Sequence, residues 1–209
     1  FGSLGYARRL SREFSLLGNT EVSVMSSGDR ALERTRLGVA YREADRTRTT
    51  ALARYEHRYD LHPGQESGQN ATRTAHVVSS HVNRRWIART TVNGRWASKW
   101  ANESSSGIAV AESAHLVAVR LRHDLTHMID IGATGRSLFD AGFESVTWGF
   151  GGEVGALVVD NLRVAAGYNV FGFRDEELSI DAQTDRGFHV HIGFKFDESL
   201  FGIGRPNTP

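Results

Sequence analysis

The amino-acid sequence predicts an all-β fold, a transmembrane antiparallel up-and-down β-barrel of about ten to twelve strands. Three observations carry this expectation. Long runs alternate apolar with polar residues, tight turns alternate with longer polar connections, and aromatic residues gather at the two ends of one face of the runs. The stretch RGFHVHIGFKFDE, residues 186–198, shows the alternation most plainly. Phe188, Val190, Ile192, Phe194 and Phe196 share one face, while His189, His191, Gly193 and Lys195 share the other. In a soluble sheet the phenylalanines would form the core. In a membrane barrel they meet lipid, and the polar row lines the lumen.

Composition narrows the choice. A chain of 209 residues suits one large domain or one barrel. With 40% hydrophobic residues and a mean hydropathy of -0.36, it is too polar for a bundle of membrane helices. No run approaches the roughly 18 consecutive apolar residues that a spanning helix needs. A net charge of +1 gives no bulk attraction to nucleic acid. The absence of cysteine excludes disulfides, a thiolate nucleophile and cysteine metal sites. The opening FGSLGYARRL has no initiator Met, no long apolar core and no cleavage motif, so it reads as the interior of a longer precursor.

The elements follow in order. GYARRLSREFSLLGNTEVSVM predicts strands at roughly 3–10 and 14–26 around a turn at SRE. Alternating runs at roughly 31–43 and 49–60 come next. VVSSHVNRRWIARTTVNGRW predicts roughly 72–83 and 86–100 with a turn at NRR, although Val77 and Val78 compete for one face. VAVRLRHDLTHMIDIGATG predicts roughly 112–124 and 128–139 around LTH, and GGEVGALVVDNLRVAAGYNV predicts roughly 146–159 and 162–174 around DN. The last strand is roughly 186–197. The barrel therefore occupies residues 1–197, and 198–209 form a C-terminal tail. Between hairpins lie SSGDRALE, DLHPGQESGQNATR, WANESSSGIAVAE, DAGFES and DEELSIDAQTDRG, expected as long outer loops opposite short periplasmic turns.

The aromatic girdle comprises Trp86, Trp96, Trp100, Trp148, Phe188, Phe194 and Phe196. If Phe196 ends on the periplasmic side, Phe14, Tyr41, Trp86 and Phe194 join it there. Tyr59, Trp96, Trp100, Phe139, Trp148 and Phe188 then fall at outer ends. On a single strand, Trp86 and Trp96 would stand roughly 25 Å apart across a tilted band. Val117, Val119, Val154, Val164 and Ile192 are expected to face lipid between the belts. His57, His115 and several threonines interrupt that face, which is the pattern a soluble sheet would show.

The opposite face is charged. Arg36, Arg54, Arg89, Arg95, Arg120, Arg122, Glu153 and Lys195 are the expected lumen-lining residues, with Arg34, Glu56, Arg58, Lys99 and Arg136 on the same rows. In a narrow barrel these side chains fill the interior and pair, for example Arg54 or Arg58 with Glu21 or Glu56. Were the lumen open, the arginines would favour anions. His189 and His191 offer two imidazoles to a metal, but no third ligand is evident and Lys195 would repel a cation. Asp175, Glu176, Glu177 and Asp181 in DEELSID lack the spaced glycine of a calcium loop and read as solvated. No nucleophile elbow is present. No catalytic, cofactor or metal site is therefore expected, and the chain is not expected to be an enzyme. An outer-membrane enzyme would need a carboxylate–histidine or serine–histidine cluster at the outer rim.

RLGVAYREADRTRTTALARYEHRYDL, HVNRRWIAR, NLRVAAGYNVFGFRDEELS and RGFHVHIGFKFDESLFG carry a resemblance over nearly the whole chain. They resemble the C-terminal barrel of large, poorly characterised Gram-negative outer-membrane proteins, which often bear extracytoplasmic repeats upstream. The sequence departs from that pattern in continuing past Phe196 as DESLFGIGRPNTP. The resemblance implies an outer-membrane location and contact with lipid, lipopolysaccharide and other envelope proteins. It implies the role of a membrane anchor for a larger surface assembly; the alternative is a small passive channel that prefers anions. The strands number about eleven, whereas bacterial single-chain barrels are even. Either a strand precedes Phe1, the favoured expectation, or ten strands close with residues 14–26 beside residues 186–197.

Overall fold

A computed structural model describes residues 1–24, 30–45, 48–63, 70–105, 108–159, 162–171 and 186–194, with backbone alone for residues 62, 63 and 70. The strands are β1 (Gly2–Arg9), β2 (Phe14–Val24), β3 (Ala31–Arg42), β4 (Thr49–Pro63), β5 (Asn70–Ile87) and β6 (Thr90–Ser105). They continue as β7 (Ile108–Asp124), β8 (Ile129–Phe139), β9 (Val146–Val159), β10 (Leu162–Phe171) and β11 (Gly187–Phe194). All eleven form one antiparallel sheet in sequence order, the up-and-down plan of a β-barrel.

Two hairpins use the same turn chemistry. Ser11 Oγ accepts the N–H groups of Glu13 and Phe14 at 3.2 and 3.1 Å, and Thr126 Oγ1 accepts those of Met128 and Ile129 at 3.1 and 3.0 Å. A hydroxyl at that position satisfies donors that the ladder leaves free. At DAGFES the Asp140 carboxylate accepts from Glu144 and Ser145, and Phe143 takes a positive φ of 58°.

Several boundaries differ from the sequence expectation: DLHPGQESGQNATR, expected as a loop, pairs Asp60–Pro63 with Asn70–Arg73. The third hairpin does not turn at NRR: β5 runs on through Arg85, opposite Thr91, and the turn falls at Ala88 and Arg89. The ladder stays regular through Arg85 and shifts only between Arg85 and Ile87, next to the turn. WANESSSGIAVAE is mostly strand, since Asn102–Ser105 pair with Ile108–Ala111. Polar side chains do not stop backbone pairing, so a hairpin can extend past an apolar band. Residues 175–185 of DEELSIDAQTDRG, Lys195, Phe196 and the tail 198–209 lie outside the described residues.

Register decides which face looks inward. One row crosses nine strands as Arg42, Thr50, Asn83, Asn93, Arg120, Thr134, Gly151, Asn169 and Gly187. The row one residue away on the opposite face reads Phe14, Tyr41, Ala51, Val82, Gly94, Val119, Gly135 and Phe150. Asn169 is 7% exposed, whereas Val119 is 45% and Phe150 55% exposed. The sheet curls with its polar face inside. Val117, Val154 and Ile192 are likewise exposed on the apolar face.

β1 and β11 are the two ends of the sheet, and each pairs on one side only among the described residues. Both strands run toward the short-turn end, so joining them directly would make a parallel pair. β2 lies between β1 and β3, so the ten-strand option, with β2 directly beside β11, is not the one seen.

Candidate functional site

The inward face carries two charged clusters of different character. The first joins β7, β8, β9 and β10. Arg163 donates from Nε to Asp130 Oδ2 at 2.8 Å and from Nη2 to Asp130 Oδ1 at 2.5 Å, with a further bond to Glu153 Oε1 at 2.8 Å. Arg120 also pairs with Glu153, reaching across β8 from β7 to β9. Arg122 lies 3.7 Å from Asp124. Glycines make the room: a Cβ at Gly132 would fall 2.8 Å from Glu153 Cγ, and one at Gly155 would strike the Arg163 guanidinium. Three guanidinium groups meet three carboxylates. This cluster is neutral.

The second cluster surrounds Glu56 on β4, whose side chain is only 3% exposed. Arg58 Nε donates to it at 2.7 Å; Arg34 Nε and Arg36 Nε approach at 3.2 and 3.5 Å, and Arg54 Nη2 at 4.0 Å. Arg36 also reaches Glu21 at 3.3 Å. Strand alternation dictates this crowding. Residues 54, 56 and 58 share one face, and β3 sets Arg34 opposite Arg58 and Arg36 opposite Glu56. Among the described residues, four guanidinium groups gather here around Glu56 and Glu21, and Arg58 has a further partner. Lys99 pairs with Glu112 at 2.9 Å between the clusters, beside a small apolar patch of Val77, Ala97, Ala114 and Leu116.

The expected lumen residues thus separate. Arg36 and Arg54 join the Glu56 cluster, and Arg120, Arg122 and Glu153 the neutral one. Arg95 sits on the inward row opposite His81 and Ala118. Arg89 does not line the lumen from a strand: it occupies the β5–β6 turn, where its carbonyl accepts the Asp124 N–H at 2.9 Å. Lys195 is outside the described residues. Asp130 and Arg163 were not singled out from the sequence, although parity along IDIGATG and LRVAAG puts both on the inward face.

Trp86 is 73% exposed at the short-turn end, and Phe14 and Tyr41 pack there at 5.1 Å. Trp96 does not define the opposite belt. It faces Ser80 and Trp100 faces His76, which puts them roughly 15 and 25 Å from the Trp86 level at a tilt near 40°. The belt is the Trp100 level, and its neighbours explain the histidines on the apolar face. Tyr55 Oη and His76 Nδ1 are hydrogen-bonded at 2.8 Å, and His57 packs on His76 at 5.1 Å. His115 bonds Ser98 Oγ at 2.8 Å and packs between Trp100 and Phe139 at 5.9 and 5.4 Å. These amphipathic rings suit a membrane–water boundary. Trp148, Phe188 and Phe194 are exposed on the same face.

His189 and His191 point inward opposite Gly167 and Ala165. Among the described residues no three histidine, aspartate or glutamate side chains gather as a metal site would need. A Cβ at Gly167 would lie 2.5 Å from the His189 ring and 2.6 Å from the Gly152 carbonyl oxygen. Gly167→Val is therefore expected to cost about 1–3 kcal/mol by overpacking, read from the urea midpoint of the folded protein, whereas Gly94→Ala, with open space around it, should change little.

No protein-family model and no curated protein sequence matches the chain. Among solved structures, one described as the NanC porin in a rhombohedral crystal form is similar at a TM-score of 0.45 and 9% identity, covering 93% of this chain and 98% of that one.

Proposed function

We propose that the chain is an outer-membrane β-barrel of a Gram-negative bacterium and that its basic lumen passes small anions. The observation that carries this reading is the row of partly accessible arginines on the inward face around Glu56. Arg34, Arg36 and Arg54 keep about a third of their side-chain surface accessible there, at 31, 28 and 32%. Partly solvated guanidinium groups along a wall lower the barrier for anions and raise it for cations. The uninterrupted apolar row from Phe14 to Phe150, bracketed by aromatic belts, supports lipid and lipopolysaccharide as the surroundings.

The expected outcome in planar bilayers under a potassium chloride gradient is a current whose reversal potential has the sign of chloride selectivity. A cation-selective current would refute the reading. A folded barrel with no conductance would favour the second reading, a membrane anchor for a larger envelope assembly. Two observations favour that anchor role: the neutral cluster braces four strands, and the sequence resembles the terminal barrels of large outer-membrane proteins.

A further inference from the structure

The two ends of the sheet differ in charge, which a net value of +1 conceals. Beyond the Trp100 row, β4 to β7 hold Asp60, Glu103 and Glu112 against Arg58 and Arg73, and the DAGFES turn adds Asp140 and Glu144. The short-turn end of β1 to β6 is rich in arginine, and register sorts its members. Arg9, Arg42 and Arg85 lie on the inward face, opposite Ser15, Thr50 and Thr91. Arg8 and Arg84 lie on the apolar face, opposite Leu16 and Thr49, while Arg12 and Arg89 occupy the β1–β2 and β5–β6 turns. All four are exposed, and none is ion-paired among the described residues. The carboxylates of this end gather at the β3–β4 turn instead. Glu13 Oε1 accepts the Ala44 N–H there at 3.5 Å, near Glu43, Asp45 and Arg48. On the next hairpin Asp124 is paired with Arg122. The two arginine hairpins share a second feature. Two residues beyond Arg8 stands Leu10, 58% exposed, and two beyond Arg84 stands Trp86, 73% exposed. An arginine beside an exposed apolar residue at the margin of an apolar band suits a membrane–water boundary. Its stem lies along apolar surface and its guanidinium reaches the headgroups.

We propose that Arg8, Arg12, Arg84 and Arg89 form a contact surface for anionic phospholipid headgroups at the short-turn end of the barrel. The two pairs stand four strands apart, roughly 20 Å along the sheet at the usual strand spacing. No single small anion reaches both; a leaflet of phosphates does. Headgroups surround a membrane barrel at this level whatever their charge, and exposed arginines select those that carry net negative charge. The acidic long-loop end repels the same lipids, so the preference belongs to one side of the membrane. The inference rests on the outer-membrane reading, since only that places lipid against this wall. It does not depend on whether the lumen conducts.

The full chain, refolded into phosphatidylcholine vesicles, tests it with traces of spin-labelled phosphatidylglycerol or spin-labelled phosphatidylcholine as probes. The motionally restricted fraction of each label reports how often that lipid touches the barrel. Phosphatidylglycerol is expected to be enriched over phosphatidylcholine by about twofold or more at low salt, and high salt should remove the difference. Arg8→Gln/Arg84→Gln should abolish most of the enrichment, and Arg8→Lys/Arg84→Lys should keep it. Arg30→Gln, at the long-loop end, should leave it unchanged. Should the glutamine variant fail to fold, Arg12→Gln/Arg89→Gln, with both changes in exposed turns, replaces it. Equal contact by the two lipids, or an enrichment that neither glutamine pair reduces, would overturn the proposal and leave the outer-membrane reading in place. A chain that restricts neither lipid would overturn both.

Discussion

Replacing Arg163 by methionine is expected to lower stability by about 3–5 kcal/mol. Asp130 and Glu153 have side chains only 12% and 9% exposed, and Arg163 is bonded to both. Removing it leaves two neighbouring carboxylates partly desolvated, with Arg120 as the remaining direct partner of Glu153. Methionine keeps most of the volume, so the loss reports charge rather than packing. Urea titration of the protein folded in lipid vesicles, followed by tryptophan fluorescence, measures it. Arg122→Met is the comparison: its contact with Asp124 is long and exposed, and should be worth about 1 kcal/mol or less. If the two variants unfold alike, the cluster is not a brace. Adding Asp130→Asn and Glu153→Gln to Arg163→Met should recover most of the loss, since neutral amides remain where unpaired charges stood.

The second large effect belongs to the opposite face. Val154→Arg places a guanidinium on the apolar surface of β9, about five residues from the short-turn end and therefore near mid-band. In a bilayer this should cost about 2–4 kcal/mol, because the charge has no water to reach without deforming lipid. The measurement is the same urea titration in vesicles, compared with Val146→Arg at the outer end of the strand, where about 0–1 kcal/mol is expected. Equal, negligible costs at both positions would mean that the valine row faces water. The two substitutions thus test inside and outside independently.

Much of this arrangement was legible before the structure. A strict alternation such as FHVHIGF specifies both a strand and its two faces, and the structure places Phe188 and His189 on opposite sides accordingly. Turns with a hydroxyl at the right position, at Ser11 and Thr126, were marked by their residues. The β5–β6 turn was not, because NRR is polar enough to suggest a turn yet pairs as strand, while Ala88 and Arg89 carry no turn signature. The partnership of Arg163 with Asp130 was hidden for a different reason. It joins residues 33 apart in sequence on strands that are not neighbours, and depends on the register of β9 between them. Alternation fixes a side chain's face and leaves its height unknown. The same gap concealed the aromatic company that makes His57 and His115 reasonable on an apolar face.

The strict order of the sheet also bears on how the chain reaches its final form. Among the described residues every strand is bonded only to the strands before and after it in sequence, so their ladder contains no crossover. The entropy of closing each hairpin grows slowly with its length, by about 0.6 kcal/mol for each doubling, and no hairpin step must gather remote parts of the chain, which only the joining of the two sheet edges would do. Such low contact order belongs to fast assembly. The hairpins can therefore zip up in succession from several starting turns. The neutral cluster is the exception: Arg120, Asp130, Glu153 and Arg163 meet only after β7, β8, β9 and β10 have all registered. Such a cluster is expected to latch late, so that Arg163→Met should speed unfolding more than it slows folding.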